Sequence, residues 1–349
     1  MHPEDIIASS LNLLIFSRDS YPAAMNFITK IRSLFNPSMY QGWGNSRKYF
    51  EGWYFKVVNE PETAAFAFIP GISMNVKGEK QAFVQILDGK KKTSVFIPFD
   101  ASVFIPSERE FTVTVGNSVF SSGSMKLDLP GVKGELTFSG LSEWPGKWYA
   151  PGIMGPYTFA PFMECNHGIV SMDHSIIGSL EINGVLTDFT GGRGYIEKDW
   201  GHSFPSAYVW MQSNHFTTPG TSFKASVARI PWLTGNFTGF ICGLLHENHL
   251  YRFTEYGGGR LVFLEADTTG IQIEFRNRSH QLHIEAPCDT ATPLASPIKG
   301  MMGGRIEESM TSVISLTLEE TATDRVIFSG KGRNSSVEIS GDTNTLSPH

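Results

Sequence analysis

Two carboxyl groups, Glu197 and Asp199, are the side chains of this chain best placed to do chemistry. They lie in GGRGYIEKDWGHSFPSAYVWMQSNHF, Gly191–Phe216, where two acids, two histidines and two tryptophans fall within 26 residues. Read with the two-residue period of a strand, Tyr195, Glu197 and Asp199 share one face, and Ile196, Lys198 and Trp200 the other. Two carboxyls on one face repel when both are ionised, so one should keep its proton to higher pH. If they face an apolar barrel, burial adds to this and leaves a neutral acid able to give a proton. If they face solvent, Lys198 and Arg193 are their partners; the spacing leaves both orientations open. Gly201 and Pro205 then break the pattern. A second alternating run places Tyr208, Trp210, Gln212 and Asn214 on one face. Two such strands joined by a short turn would bring the acids beside a row of aromatic and amide groups. Tyr54, Tyr195 and Tyr208 carry hydroxyls that need partners when buried.

Other chemistries find less support. His167, His174, His202 and His215 are close in sequence, but no regular spacing puts three on one face, so hydrogen-bonding roles are expected and no metal. His246-Glu-Asn-His249 is one residue short of HExxH and sits in strand-turn sequence. Gly192-Arg-Gly194 begins like a dinucleotide fingerprint, but Glu197 occupies the third glycine position and strand-like residues follow. The three cysteines are scattered, with no CxxC. A net charge of −6 provides no basic footprint for nucleic acid.

The elements that must position these groups are strands. A chain of 349 residues can bury a large core. Its 35 glycines, 26 phenylalanines and 7 tryptophans favour short strands and turns. From Tyr49 onward alternating runs of about 7–10 residues recur between turn signals, the pattern of a sandwich or barrel. Residues 142–163 are rich in Pro and Gly yet apolar, and read as an ordered loop or a lid. Helical spacing is confined to residues 5–35, where Ile28, Ile31, Leu34 and Phe35 share a face. The division expected is an N-terminal helical arm (1–39), a first β half (40–185), a second β half (186–341) and a frayed polar tail (342–349). The first residues carry acids where a secretory signal carries basic residues, and no apolar run reaches the ~18–20 residues of a spanning helix. A cytoplasmic protein is expected, with peripheral membrane contact through the arm as the sharper alternative.

Three motifs in order, YFEGWYFKV at Tyr49–Val57, FMECNHGIVSMDH at Phe162–His174 and GGRGYIEKDWGHSFP at Gly191–Pro205, together resemble the tocopherol cyclase family, especially its bacterial members. WMQSNHF at Trp210–Phe216 continues the likeness, which runs from about Tyr40 to Ser340. The resemblance implies an all-β fold of two lipocalin-like antiparallel barrel halves holding an apolar ligand. It also implies closure of a chromanol ring on a prenylated hydroquinone, with no cofactor. That chemistry needs a proton for an alkene and a phenol oxygen to capture the tertiary cation. From that chemistry and the motif positions, rather than from the resemblance itself, Asp199 is the expected acid, with Glu197 as second choice. Tyr195, His202 or Asn214 would hold the quinol oxygen, and His202 would accept its proton. Glu51, Trp53 and Tyr54 would line the far side, and Trp200, Trp210 and Gln212 complete the substrate-binding set. The same architecture hosts carotenoid hydratases and cyclases of polyketide-like chains, so a hydrophobic prenyl-type substrate is implied more firmly than tocopherol chemistry itself. The alternative is a non-catalytic carrier or sensor of such a lipid.

Overall fold

The computed structural model describes residues 23–161, 163–232, 235–267, 269–287 and 289–348; the expectations for residues 5–22 and for Cys288 lie outside them. One helix, Ala23–Leu34, precedes an all-β body of two antiparallel sheets, one of twelve strands and one of ten. The first sheet runs from Tyr49 to Gly201, and the second from Tyr208 to Ser340. In each sheet the first strand pairs with the last: Tyr49–Val58 with Arg193–Gly201, and Tyr208–Ser213 with Arg325–Ser340. Each sheet wraps its own apolar core. Phe55, Phe68, Phe120 and Ile196 lie in the first, and Met211, Phe223, Phe253 and Phe275 in the second.

Three expectations are corrected here. The halves change over between Gly201 and Tyr208, not at residues 185–186, because the Cys165–Ile182 and Arg193–Gly201 strands pair within the first sheet. The strands carrying Glu197 and Trp210 therefore do not form a hairpin. At Gly201 any Cβ would lie 2.2 Å from the Glu164 carbonyl oxygen, so the chain can turn out of the sheet there only as glycine. The segment after Gly341 is not frayed. Leu346 is fully buried in the second core, and the Thr343 hydroxyl donates to the Ala266 carbonyl at 2.6 Å. The 142–163 segment is packed, with Trp144 and Ile153 buried against Met172.

The period of two gives the Tyr49–Val58 and Arg193–Gly201 strands two different faces. Glu51, Trp53 and Phe55 stand opposite Trp200, Lys198 and Ile196 on the inner face. There Lys198, with no exposed surface, lies 2.6 Å from Glu51 Oε1. Its ammonium also donates to the Pro37 carbonyl at 2.9 Å and to that of Met39, and sits 4.5 and 5.0 Å from the Trp200 and Trp53 ring centres. Glu51 accepts from the Gln41 and Gly42 backbone N–H groups at 2.9–3.0 Å and from the Tyr49 hydroxyl. Burial pushes Lys198 down to about 8 and Glu51 up, each restrained by the other. This pair pins the chain between the helix and the first strand. Lys198→Ala leaves a buried carboxylate without its cation and is expected to cost about 3–5 kcal/mol in urea unfolding, whereas Lys198→Met with Glu51→Met should recover most of that. A loss under about 1 kcal/mol for the single variant would mean the pair does not hold the loop.

Candidate active site

The outer faces of the two closing strand pairs meet, and the candidate site lies in the seam between them. From the first sheet come Tyr54 opposite Glu197, Lys56 opposite Tyr195, and Asp199 opposite Gly52, with His167 on the other side of Asp199. From the second come Tyr208, Trp210 and Gln212, flanked by Ala228, Ser226 and Lys224 on one side and by Ser340, Glu338 and Ser336 on the other. Glu308 stands opposite Glu338 on the next strand. Tyr54, Tyr195, Tyr208, Trp210, Leu294 and Met310 pack together as the apolar part of the seam.

His167 joins the two acids. Its Nδ1 lies 2.6 Å from Asp199 Oδ1. Its Nε2 lies 3.3 Å from Glu197 Oε2, within ion-pair distance but off the direction of a hydrogen bond. Glu197 also accepts from the Tyr195 hydroxyl and from Trp210 Nε1 at 3.2 Å. Burial and the Lys224 ammonium push the His167 imidazolium toward losing its proton, but Glu197 and Asp199 outweigh them and its pKa is raised. Glu197 follows the opposite course. Burial pushes it up, and His167, Lys224 and the Tyr195 hydroxyl bring it below the ordinary carboxylate value. Glu197 thus faces neither solvent nor a barrel interior, Asp199 is partly exposed beside it, and a neutral acid at Glu197 is not what this environment produces. Lys224 is fully buried with no hydrogen-bond partner for its ammonium among the described residues, and burial lowers it to about 8.

The donor atoms of His167, Glu197 and Asp199 lie within 4.8 Å of one another, close enough to surround a divalent ion. Asp199 Oδ1 is engaged by His167 Nδ1, Glu197 Oε2 by Tyr195 and Trp210, and the buried Lys224 ammonium already supplies positive charge beside them. The chemistry of the set fits a proton-bearing cluster better than a metal centre.

Two adjoining cavities share Asp199, Phe204 and Trp210 as a common wall. The first is lined by His167 and by apolar groups including Met154, Met163, Phe237 and Phe240, so the Pro/Gly-rich segment forms part of its wall. The second is lined by Tyr54, Ile69, Leu294 and Ile306 with the carboxyls of Glu197, Glu308 and Glu338.

Of the residues expected from sequence, Tyr54, Tyr195, Glu197, Asp199 and Trp210 are brought together. Gln212 accepts from Lys56 Nζ at 2.9 Å, and Asn214 donates to Asp173 and to the Gly194 carbonyl at 3.0 and 2.8 Å; both are buried links between the halves. Glu51, Trp53 and Trp200 are corrections: strand alternation turns them into the first half, away from the cavities. His202 is another, because it lies past the end of its strand, 3.9 Å from Glu164 and outside both cavity walls. Lys224, Glu308 and Glu338 went unsuspected. The signal available for Lys224 and Glu338 was a charged residue among serines on one face of a strand whose other face is apolar, as in SFKASV and SSVEIS.

Fold and site together define an all-β protein of two lipocalin-like halves with an acid–base cluster in an apolar seam. The profile of the family described as tocopherol cyclase-like matches residues 143–341, more than half of the chain, and the chain belongs to that family. A curated relative, the chloroplastic tocopherol cyclase of Zea mays, is 27% identical over 145 residues, which are 39% of this chain and 30% of the maize protein. The match therefore spans under a third of that relative. Among solved structures, CghA with Sch210972 and CghA alone each superpose with a TM-score of 0.51 at 12% identity, over 84% of this chain and 89% and 88% of theirs, a likeness of fold.

Because its pKa is raised, the His167 contribution to stability is present below the unfolded value of ~6.5 and lost as pH rises through the folded value. Histidine NMR titration should place the His167 midpoint above ~6.5, and Asp199→Asn should move it down because burial and Lys224 then face less opposition. An unchanged midpoint in Asp199→Asn would show that the 2.6 Å contact does not hold the proton.

Proposed function

We propose that the protein is a tocopherol-cyclase-like enzyme that closes a chromanol-type ring on a prenylated hydroquinone or a related apolar alkene. The observation that carries this reading is the Asp199–His167 pair, 2.6 Å apart, with Asp199 in the common wall of the two cavities and His167 in the wall of the largely apolar first one. Among the described residues Asp199 offers a polar contact to both cavities, and its side chain is 27% exposed there. The far end of the prenyl chain lies against Met154, Phe237 and Phe240, the reacting alkene lies at the Asp199–Trp210 wall between the cavities, and the ring hydroxyl meets Asp199. One proton adds to the less substituted alkene carbon. The phenol oxygen captures the tertiary cation, forming the C–O bond, and its own proton passes to the Asp199 carboxylate, which His167 holds in place. The product is an isomer of the substrate, and no redox partner is needed. With an imidazolium donating to it, Asp199 acts as the acceptor in this sequence, and Glu197 positions His167. Trp210 and Tyr54 present aromatic faces to the cation, and the packed seam keeps water from trapping it.

The substrate class suits delivery from a lipid surface. Phe27, Ile28, Ile31 and Phe35 are exposed on and just after the helix, and the Phe35 ring lies 6.0 Å from that of Phe159 in the segment that walls the first cavity. This supports peripheral membrane contact. No helix among the described residues is long and apolar enough to cross a membrane.

Purified protein incubated with 2-methyl-6-phytylbenzoquinol or its dimethyl homologue is expected to give a chromanol of unchanged mass and altered chromatographic retention. Asp199→Asn should slow this about 10²–10⁴-fold while quinol still co-elutes on gel filtration. Quinol retained but unconverted by the unaltered protein would instead support the carrier reading.

A further inference from the structure

The proton that starts ring closure needs a source, and the Asp199–His167 pair is arranged to receive one. We propose that Glu308 and Glu338 form a proton-sharing carboxyl pair that donates this proton to the alkene; the proposal rests on the cyclase reading above.

The geometry comes first. Glu308 and Glu338 are register partners on the Met301–Glu320 and Arg325–Ser340 strands, and Trp210 is the register partner of Glu338 on its other side. Residues directly opposite on antiparallel strands bring their Cβ atoms to about 4.5–5.5 Å. The two carboxyls therefore stand side by side in one row with the indole, and both line the second cavity with Asp199. Each is held by a tyrosine from a different strand. The Tyr54 hydroxyl donates to Glu308 Oε1, and the Tyr208 hydroxyl donates to Glu338 Oε2 at 2.9 Å. Glu308 is fully buried, yet its Oε2 has no hydrogen-bond partner among the described residues. A buried carboxyl oxygen left unmatched beside a cavity is a contact reserved for a ligand or a proton.

Two facing carboxylates in such a place cannot both be ionised. The groups that face Glu308 are Tyr54 and Lys56 from the first strand, Glu197 from the strand beside it, and Glu338 with Ser336 from its own sheet. Those that face Glu338 are Tyr208, Glu308, Glu197 and Asp199. Lys56 is the cation of this set, and its ammonium donates to Gln212, Ser336 and the Asn334 carbonyl. Burial pushes Glu308 up to about 7, with Tyr54 and Lys56 holding it back. Burial and then the Glu308 charge push Glu338 well above the ordinary carboxylate range. At neutral pH the pair keeps a proton. When the carboxyl O–H bond breaks, the alkene π pair forms the new C–H bond and the tertiary cation appears beside the new carboxylate. Oxygen capture then releases the phenol proton to the Asp199 carboxylate beside His167. After the product leaves, Asp199 gives its proton to solvent and solvent returns one to the carboxyl pair, so protons balance over the cycle.

The test uses the full chain with 2-methyl-6-phytylbenzoquinol. In Glu338→Gln, with Glu308→Gln as the second variant, turnover is expected to fall at least about a hundredfold with quinol binding kept on gel filtration. Circular-dichroism melts confirm that each variant folds. The unaltered protein should lose turnover as rising pH ionises the pair. Tyr208→Phe, which removes a hydrogen bond favouring ionised Glu338, should move that loss to higher pH. A structural role for the glutamates would leave the pH profile in place. Active protein whose two Gln variants stay within about threefold and keep the same profile overturns the pair and leaves the cyclase reading intact. Quinol bound but never converted by the unaltered protein overturns that reading, and the donor role with it.

Discussion

The pairing of Tyr49–Val58 with Arg193–Gly201 is the constraint on which the rest depends. Alternation along these two strands sorts opposite kinds of charge to opposite faces. The inner face carries Lys198 with Glu51, a closed pair whose hydrogen bonds are spent on the chain that enters the sheet. The outer face carries Glu197 and Asp199, whose partners come from other strands. A register slip of one residue would exchange the faces, placing Glu197 in the first core and Lys198 in the seam. Both the stability of the first half and the chemistry of the seam therefore forbid the slip.

The seam is a dry place with many charges, and its balance explains its behaviour. His167 and Lys224 sit against Glu197 and Asp199 at one end, while Lys56 serves the end where Glu308 and Glu338 face each other. The first end holds its proton on nitrogen, and the second, short of cations, holds it on oxygen. Burial acts on every group in the same way, so the direction of each shift follows from whether a countercharge reaches it. Two proton positions of different character along one cavity system suit the addition and removal of protons that the proposed ring closure calls for.

Much of this was legible in the sequence. Strand spacing disclosed the all-β character, and the shared face of Tyr195, Glu197 and Asp199 held in the structure. The Trp210 face was also read correctly from the same period. What the period could not say is which face of a strand is inside. The period sets Glu51 and Trp53 on the face opposite Tyr54, and only the pairing with the Lys198 strand shows which of the two faces the seam. Sequence proximity misled at the link between the two strands, because Gly201 sends the chain into the other sheet rather than around a hairpin. Glu308 and Glu338 lie more than a hundred residues from Glu197, and local spacing carries no trace of a meeting made by sheet topology.

The closing strands have a consequence for how the protein is made. The second sheet receives the partner of Tyr208–Ser213 only when residues 325–340 arrive, after all its other strands. Contacts so distant in sequence form slowly, since the intervening chain must be ordered first. During that interval the first half can already be folded, with Tyr54, Tyr195 and Lys56 on a bare outer face. A nascent chain in that state presents a sticky apolar surface studded with charge, and it is there that premature association would begin. The surface that ends up closed in the seam of the finished protein is the one most in need of protection while the protein is being synthesised.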